Sequence, residues 1–241
     1  MTKERDGFWI KFCSALIHPA VRLLGRREVT GCPLPEAGSS GVLIVLNHVS
    51  HLDPLFDAVV VHNAGRVPRF LAKSSLWKNP MLRVVMTGTG QIPVERGTAD
   101  SRDSLRAADD GLAAGKTLLI YPEGTITKDP DGWPMSSRTG VARLALANDV
   151  PVIPAARWGT REIYDGYRKT FRPLPRKTVR MVLGEPVDLS AYRGRPLTGP
   201  LLREVTDLLM TRVKHLLAEA RGEQAPDGFY TPTRSADRNG D

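Results

Sequence analysis

Two histidines and a carboxylate follow a short apolar run in the first quarter of the chain. The run GVLIVL occupies residues 41–46, and residues 47–53 read NHVSHLD. A short, β-branched run bounded by turn formers is typical of a buried strand. The polar groups therefore lie at a strand exit, where three roles are open to them: binding a metal, moving a proton or closing a turn.

A metal site fits this spacing poorly. A catalytic zinc needs three protein ligands in a working geometry, and the sequence has only three histidines besides His48 and His51. Two of those three lie in segments with the pattern of packing helices. We therefore expect no metal site in this protein.

General-base chemistry suits the same residues better. If Asp53 accepts a hydrogen bond from one imidazole nitrogen of His48, the other nitrogen is left to take a proton. The segment contains this base and its carboxylate partner without a serine nucleophile, so the attacking hydroxyl is expected to come from the substrate. Asn47 and Ser50 are interpreted as residues that shape the turn, and His51 as a loop residue.

Composition limits the class of protein. The 241 residues are 41% apolar and 25% charged, which is typical of one globular domain. The formal net charge of +8 favours an anionic partner, namely nucleic acid, anionic lipid or a phosphorylated substrate. Only 6% of residues are aromatic and no nucleic-acid motif is present, so nucleic acid is disfavoured. Two isolated cysteines indicate reduced thiols and a cytoplasmic location.

The order of apolar and amphipathic segments predicts the fold. Apolar strand candidates alternate with helical patterns along the chain, which predicts an α/β fold with a mostly parallel central sheet flanked by helices. Chemistry is then expected in the loops at the strand ends. The predicted strands are 42–46, 69–72, 90–94, 117–121, 151–158 and 178–184, and the predicted helices cover 53–64, 79–86, 101–115, 138–149 and 199–220.

Both ends of the chain differ from this central domain, which we place at 29–221. Residues 1–28 predict an amphipathic segment, with Pro19 dividing it into two short helices. Two interpretations stay open for it: an in-plane anchor at a membrane surface, or a helix packed on the domain's own core. The interruption at Lys11 and the missing cleavage site argue against export, and no apolar run approaches the length of a membrane span. Residues 222–241 are too polar to fold and are predicted to be disordered.

Three more segments at strand exits complete an ordered set with NHVSHLD. They are GQIPVER at 90–96, YPEGT at 121–125 and VPVIPAA at 150–156. In type and order, these four blocks resemble the glycerolipid acyltransferase family, the 1-acylglycerol-3-phosphate acyltransferases. The resemblance covers roughly residues 40–185 of the sequence.

The resemblance implies a role for each matching residue. It assigns His48 as the base that deprotonates the acceptor hydroxyl, and Asp53 as the group that holds its imidazole. It assigns Arg96 to the acceptor phosphate, which a guanidinium binds well because its donors match phosphate oxygens. Lys73 is expected to support the phosphate site. The remaining assignments are Glu123 and Gly124 to the acceptor site and Pro154 to the acyl side.

One position departs from the family pattern. After Pro-Glu-Gly-Thr the family continues with arginine or a small polar residue, whereas this sequence has Ile126. One positive contact to the phosphate or the carrier is therefore missing at this position. Lys128 and Arg138 are the candidates to replace it.

The expected activity is transfer of an acyl chain from acyl-CoA or acyl carrier protein to 1-acylglycerol-3-phosphate, giving phosphatidic acid, without a cofactor. Glycerol 3-phosphate or another lysophospholipid is the alternative acceptor. A catalytically silent lipid-binding protein is the alternative from a different class. The expected location is peripheral, on the cytoplasmic face of a membrane, with no nucleic-acid partner.

Overall fold

Strands and helices alternate along the chain, as the sequence pattern predicts. The computed structural model describes residue 4, residues 7–94 and residues 101–232, without the side chains of 101–104. The strands are β1 (Gly25–Gly31), β2 (Val42–Leu46), β3 (Pro68–Lys73), β4 (Ile92–Val94), β5 (Thr117–Ile120), β6 (Val152–Trp158), β7 (Tyr164–Asp165), β8 (Thr170–Phe171) and β9 (Lys177–Leu183). The helices are α1 (Phe8–Leu24), α2 (Asp53–Asn63), α3 (Pro80–Gly88), α4 (Ser101–Ala113), α5 (Gly140–Ala147), α6 (Thr160–Ile163) and α7 (Gly199–Arg221), with a 3-10 helix at Ser74–Lys78.

Seven of the strands form one sheet in the order β1-β9-β6-β2-β5-β3-β4, while β7 and β8 pair separately. Neighbouring strands in the large sheet are parallel except β6 and β9, which are antiparallel. The expected mostly parallel sheet flanked by helices is confirmed.

The central strand β2 is buried along its whole length. Val42, Ile44 and Leu46 pack on the face that α2 covers. Leu43 and Val45 pack on the opposite face, against α4, α5 and α7. A parallel strand covered on both faces needs apolar residues at every position, which explains the unbroken run in the sequence. Since β2, β3, β5 and β6 all run in one direction, their exits meet at one edge of the sheet.

The N-terminal helix α1 is continuous, and the expected division at Pro19 is wrong. Pro19 cannot donate to the carbonyl of Ala15, but both residues are exposed, so water can satisfy that carbonyl. Val21 of α1 is fully buried against Phe56 and Val59 of α2. One face of α1 thus packs on the domain. Among the described residues, no helix is long and apolar enough to cross a membrane.

Strand β1 was not among the predicted strands. Its sequence, GRREVTG, has little apolar character, and every residue after Gly25 is exposed. It pairs with β9 alone, at the edge of the sheet. An edge strand is held by main-chain hydrogen bonds and needs no apolar face. The predicted boundary at residue 28 falls inside this strand.

The predicted disorder from residue 222 onward is wrong for residues 222–232. Phe229 packs against the main core, and Tyr230 pairs with Met135 through a backbone bridge. Lys214 of α7 donates hydrogen bonds of 2.8 Å to the carbonyls of Pro226 and Gly228. A single aromatic anchor and satisfied carbonyls hold this polar segment. The rest of the predicted tail, 233–241, lies outside the described residues.

Candidate active site

His48 and Asp53 are brought together by the turn between β2 and α2. The imidazole Nδ1 of His48 lies 2.9 Å from Oδ2 of Asp53. The same oxygen accepts hydrogen bonds from the backbone N–H groups of Val49, at 2.7 Å, and Ser50, at 2.9 Å. Asp53 is the first residue of α2 and is fully buried. One carboxylate therefore closes the turn and orients the histidine.

The surroundings of Asp53 keep it ionised. Burial acts to raise its pKa, but hydrogen bonds from His48 and Thr160 and the positive charge of Arg157 outweigh burial and hold the pKa below its ordinary value. Thr160 follows β6 and donates its hydroxyl to Oδ1 of Asp53. With Nδ1 donating to this carboxylate, Nε2 of His48 is the nitrogen left to accept a proton.

The imidazole of His48 is also held from its ring face. It stacks on Tyr121, with ring centroids 4.3 Å apart and planes 16° from parallel. The Tyr121 hydroxyl donates to Asp57 of α2. Asp57 in turn forms a buried ion pair with Arg157, which lies near the end of β6. Burial lowers the pKa of Arg157 to about 10.

Asn47 and Ser50 fix the same turn to neighbouring strands. The Asn47 amide donates to the Arg157 carbonyl at 3.0 Å and accepts from the Arg157 N–H at 2.8 Å. The Ser50 hydroxyl donates to the Tyr164 carbonyl at 2.7 Å. These hydrogen bonds connect the turn that carries His48 to β6 and β7.

Glu123, which follows β5, accepts hydrogen bonds from the His48 turn and from the loop after β5. Its two carboxylate oxygens accept hydrogen bonds of 3.0 Å from the backbone N–H groups of His48 and Met135. The side chain is buried and does not line the cavity beside His48. Burial raises its pKa from 4.5 to about 8. Glu123 therefore joins the His48 turn to the loop that follows β5.

A cavity of about 970 Å³ opens beside His48 and crosses the edge of the sheet. On one side lies the apolar arm, formed by α1, α2, β3 and α3 and lined mainly by apolar side chains, among them Ile10, Ile17, Leu55, Val59, Phe70 and Val85. On the other side lies the basic arm, lined by Gly124, Thr125, Arg138, Thr139, Gly140 and Arg143. His48 and Tyr121 line the region between the two arms. A volume of this size is typical of a pocket for a large organic ligand.

The other residues assigned from the sequence are placed as follows. Lys73, at the end of β3, and Gly124 line the cavity. Arg96 lies outside the described residues. Pro154 is buried inside β6, pairs with Val45 of β2 and does not line the cavity. Its expected role on the acyl side stays a prediction.

Sequence reasoning missed Tyr121, Thr160 and the ion pair between Arg157 and Asp57. Tyr121 stands directly before the Pro-Glu-Gly-Thr block, and that position is the one available signal for it. Thr160 lies 107 residues after Asp53, and Arg157 lies 100 residues after Asp57. Their spacing in the sequence carries no sign of these contacts.

The family match agrees with this geometry. The family described as Acyltransferase matches residues 26–158, which hold the His48 turn, the Glu123 loop and the strands that bear them. The chain belongs to the acyltransferase family.

Two similar proteins are named as acyltransferases of particular lipids. The chloroplastic 1-acyl-sn-glycerol-3-phosphate acyltransferase of Arabidopsis thaliana is 27% identical over 64% of this chain. The chain spans about two fifths, 41%, of the length of that protein. The lyso-ornithine lipid O-acyltransferase of Pseudomonas aeruginosa is 34% identical over 50% of this chain and 44% of its own length.

A solved structure shares the fold. The crystal structure of the 1-acyl-sn-glycerophosphate acyltransferase of Thermotoga maritima matches with a TM-score of 0.63 and 23% identity. The match covers 90% of this chain and 80% of that one. The agreement therefore includes the flanking helices as well as the sheet.

Proposed function

We propose that this protein transfers an acyl chain from a thioester to a free hydroxyl of a phosphorylated glycerolipid, with 1-acylglycerol-3-phosphate as the acceptor and phosphatidic acid as the product. The observation that carries the proposal is the position of His48. Its imidazole is oriented by a buried carboxylate and lies between the apolar and basic arms of one cavity. Such a site suits a substrate with a hydrocarbon chain at one end and a phosphate at the other.

The reaction then follows from general-base catalysis. Nε2 of His48 takes the proton of the acceptor hydroxyl while the hydroxyl oxygen attacks the thioester carbonyl carbon. A C–O bond forms and the C–S bond breaks. The departing thiolate receives the proton from the imidazolium, which returns His48 to its neutral form. Asp53 stays ionised throughout and stabilises the imidazolium. The reaction as written uses no metal or redox cofactor.

Binding both substrates in one cavity contributes to the rate acceleration. Holding two reactants in the correct orientation turns a bimolecular step into an effectively unimolecular one. The apolar arm offers a place for an acyl chain, since burying each methylene group is worth about 0.8 kcal/mol. Either acyl-CoA or acyl carrier protein can present such a thioester.

The relatives support a lysolipid acceptor and leave a second candidate. The plant relative is named for 1-acylglycerol-3-phosphate, whereas the Pseudomonas relative is named for lyso-ornithine lipid and has the higher identity, 34%. Another lysolipid is therefore the alternative acceptor, and glycerol 3-phosphate is the acceptor without a chain. A silent lipid-binding protein is disfavoured because His48 and Asp53 are both present and in contact.

We also propose that the protein works at the cytoplasmic face of a membrane, bound peripherally through α1 and α3. The outer side of α1 exposes Phe8, Phe12, Leu16 and Leu23, while its inner side lines the apolar arm with Ile10 and Ile17. Helix α3 adds exposed Met81 and Val84.

The two helices meet where Trp9 packs on Gly88, so closely that a Cβ at residue 88 would lie 2.1 Å from the indole. Lys11, Arg22 and Arg83 supply positive charge beside these apolar groups, which suits an anionic lipid surface.

The proposal is tested by thiol release from palmitoyl-CoA, with lysophosphatidic acid, glycerol 3-phosphate and lyso-ornithine lipid as separate acceptors. Wild type and His48→Gln are compared, with His215→Gln, an exposed histidine of α7, as the matched control. We expect acceptor-dependent release by wild type and by the control, fastest with lysophosphatidic acid. In His48→Gln the rate should fall by about 100- to 10,000-fold.

Two outcomes would overturn the proposal. Wild-type rates in His48→Gln would show that His48 is not the general base. Absence of transfer to any of the three acceptors, from palmitoyl-CoA and from palmitoyl acyl carrier protein alike, would remove the acyltransferase activity itself.

A further inference from the structure

Two arginines line the basic arm of the cavity, and the reaction described above gives them no role. Arg138 lies in the loop after β5, and its backbone N–H donates to the Pro122 carbonyl at 2.9 Å. Its side chain lies against Gly124, where an added Cβ would be 3.2 Å from Nε. Gly124 has φ +74°, a conformation that favours glycine. The guanidinium of Arg138 is thus seated on the Pro-Glu-Gly turn beside His48.

Arg143 reaches the same arm from helix α5. The N-cap of α5 is Thr139, so Arg138 occupies the position before the cap and Arg143 the fourth position of the helix. Both side chains are exposed to solvent. Both arginines line the cavity. Two guanidinium groups therefore border the cavity.

Neither guanidinium is neutralised within the described part of the chain. No carboxylate pairs with Arg138 or Arg143 there, and neither side chain donates a hydrogen bond there. Elsewhere in the fold arginines do find partners: Arg157 pairs with Asp57, and Arg161 with Asp165. An anion bound in this part of the cavity would be attracted by both positive charges. The basic arm therefore has unused capacity for an anion.

The structure also decides between the candidates for the cation missing at position 126. Ile126 is buried, and its side chain points at Gly166, where an added Cβ would lie 3.3 Å from Cδ1. Ile126 lines the cavity, but its side chain carries no charge. Lys128 does not line the cavity, whereas Arg138 does. The positive charge near the Pro-Glu-Gly turn therefore comes from Arg138.

We infer that Arg138 and Arg143 form a binding subsite for a substrate phosphate group. The inference rests on the proposed function and extends it by two residues. Two sources share this chemistry: the phosphate monoester of the acceptor and the phosphates of the acyl-CoA donor. A guanidinium binds either through two parallel N–H donors. With the phosphate in the basic arm, the rest of the substrate extends past His48 toward the apolar arm.

The test compares Arg138→Gln, Arg143→Gln and the double variant with wild type. Arg212→Gln, which removes one exposed charge from α7, is the matched control. KM is measured separately for lysophosphatidic acid, for its phosphate-free analogue monoacylglycerol, and for palmitoyl-CoA. Binding of lysophosphatidic acid and of CoA is measured by calorimetry on the same proteins, so that the subsite is also tested without turnover. Thermal melting verifies that each variant is folded.

We expect each single variant to bind one phosphate-bearing ligand roughly tenfold more weakly, because one charged hydrogen-bonding group is lost. A rise in KM for lysophosphatidic acid without a rise for monoacylglycerol would identify the acceptor phosphate. A rise for palmitoyl-CoA alone would identify the donor phosphates. Equal KM values and binding constants in wild type, the control and the double variant would overturn the inference. Calorimetry decides the question even if wild type transfers no acyl group, which is a separate failure of the proposed function.

Discussion

Asp53 has two tasks that are usually given to separate residues. As the first residue of α2 it accepts the backbone N–H groups of Val49 and Ser50, and through the same oxygen it holds Nδ1 of His48. An acid at a helix N-terminus is also favoured by the helix dipole. His48 and Asp53 are five residues apart because one carboxylate both closes the turn and orients the imidazole.

Replacing Asp53 with asparagine should separate these two tasks. The amide oxygen in the place of Oδ2 can still accept from the turn, but the negative charge that stabilises the His48 imidazolium is lost. We expect kcat to fall by about 100- to 10,000-fold with little change in the acceptor KM. Asp207→Asn, at a half-exposed position of α7, is the matched control. A loss of less than about threefold in Asp53→Asn would contradict the assignment of Asp53 as the partner of the base.

Glu123 should make stability depend on pH in a defined direction. Burial raises its pKa from 4.5 to about 8 in the folded state, so the folded protein holds a proton that the unfolded chain releases at lower pH. The contribution of Glu123 to stability is therefore full below pH 4.5 and is lost as the pH rises to about 8. Glu123→Gln cannot titrate and should lack this component.

The measurement is urea unfolding of both proteins at a series of pH values across that window. The difference in unfolding free energy, wild type minus Glu123→Gln, should fall steadily as the pH rises. Groups that titrate equally in both proteins cancel from the difference. Glu219→Gln, at an exposed position of α7, is the matched control. A constant difference for Glu123→Gln would mean that its carboxyl is ionised throughout.

At the scale of elements, the loop between β5 and α5 depends on a contact with the far end of α7. The guanidinium of Arg221 lies between two indole rings, 4.2 Å from the Trp133 centroid and 4.1 Å from the Trp158 centroid. It also donates to the Asp131 carbonyl at 2.7 Å. The loop anchored in this way supplies the Met135 N–H to Glu123, and Thr127 of the loop donates to the His48 carbonyl at 2.7 Å.

Arg221→Ala should therefore affect catalysis from a distance. Two cation–π contacts with desolvated rings are worth about 1–4 kcal/mol together, so we expect a lower melting temperature and a several-fold lower kcat as the loop loosens. Arg212→Ala on the same helix should change neither. Limited proteolysis should cut Arg221→Ala faster within residues 126–138. If the melting temperature falls but kcat and cleavage stay at wild-type values, the loop does not depend on this contact.

The elements that the sequence predicts correctly are those with a burial pattern. Strand β2 is predicted because both of its faces are covered, and α7 because one of its faces is. Strand β1 gives no such signal, since it is an exposed edge strand. Pro19 leads to a wrong prediction of two helices, because the effect of a proline depends on whether water reaches the carbonyl that it leaves unpaired, here that of Ala15. Phe229 lies in a polar tail with Tyr230 as its one aromatic neighbour, and the core that receives Phe229 is formed by distant segments.

The residues of the candidate site also fall into those that the sequence predicts and those that it does not. His48 and Asp53 lie in one turn, so their spacing shows that they can meet. Thr160 and Arg157 reach the same turn only because β6 pairs with β2 in a particular register. Glu123 is assigned to the acceptor because of the sequence block it belongs to, and that block gives no sign of its hydrogen bonds to the His48 and Met135 backbone. Contacts that depend on strand order cannot be predicted from local spacing.

At the scale of the whole molecule, α1 is both a wall of the cavity and part of the outer surface. Its inner side packs on α2 and lines the apolar arm, whereas Phe8 and Leu23 on its outer side are 72% and 74% exposed. Exposed apolar groups of this size in one contiguous patch mark an interaction surface. An acyl chain that leaves a bilayer beside α1 would have only the thickness of this helix to pass before it reaches the apolar arm.

The membrane proposal predicts a loss of vesicle binding when single leucines on this surface become charged. Leu16 and Leu23 are 59% and 74% exposed, so aspartate at either position should leave the fold intact. Burying a leucine side chain in lipid is worth about 1.5–3 kcal/mol, and we expect each variant to bind phosphatidylglycerol vesicles at least tenfold more weakly in a sedimentation assay. Leu197→Asp is the matched control, because Leu197 is also exposed but precedes α7, which covers the other face of the sheet. Acyl transfer to lysophosphatidic acid carried in vesicles should fall in parallel, while transfer to a short-chain acceptor free in solution should not. If both variants sediment like wild type, α1 acts as a wall of the cavity and has no part in binding the membrane.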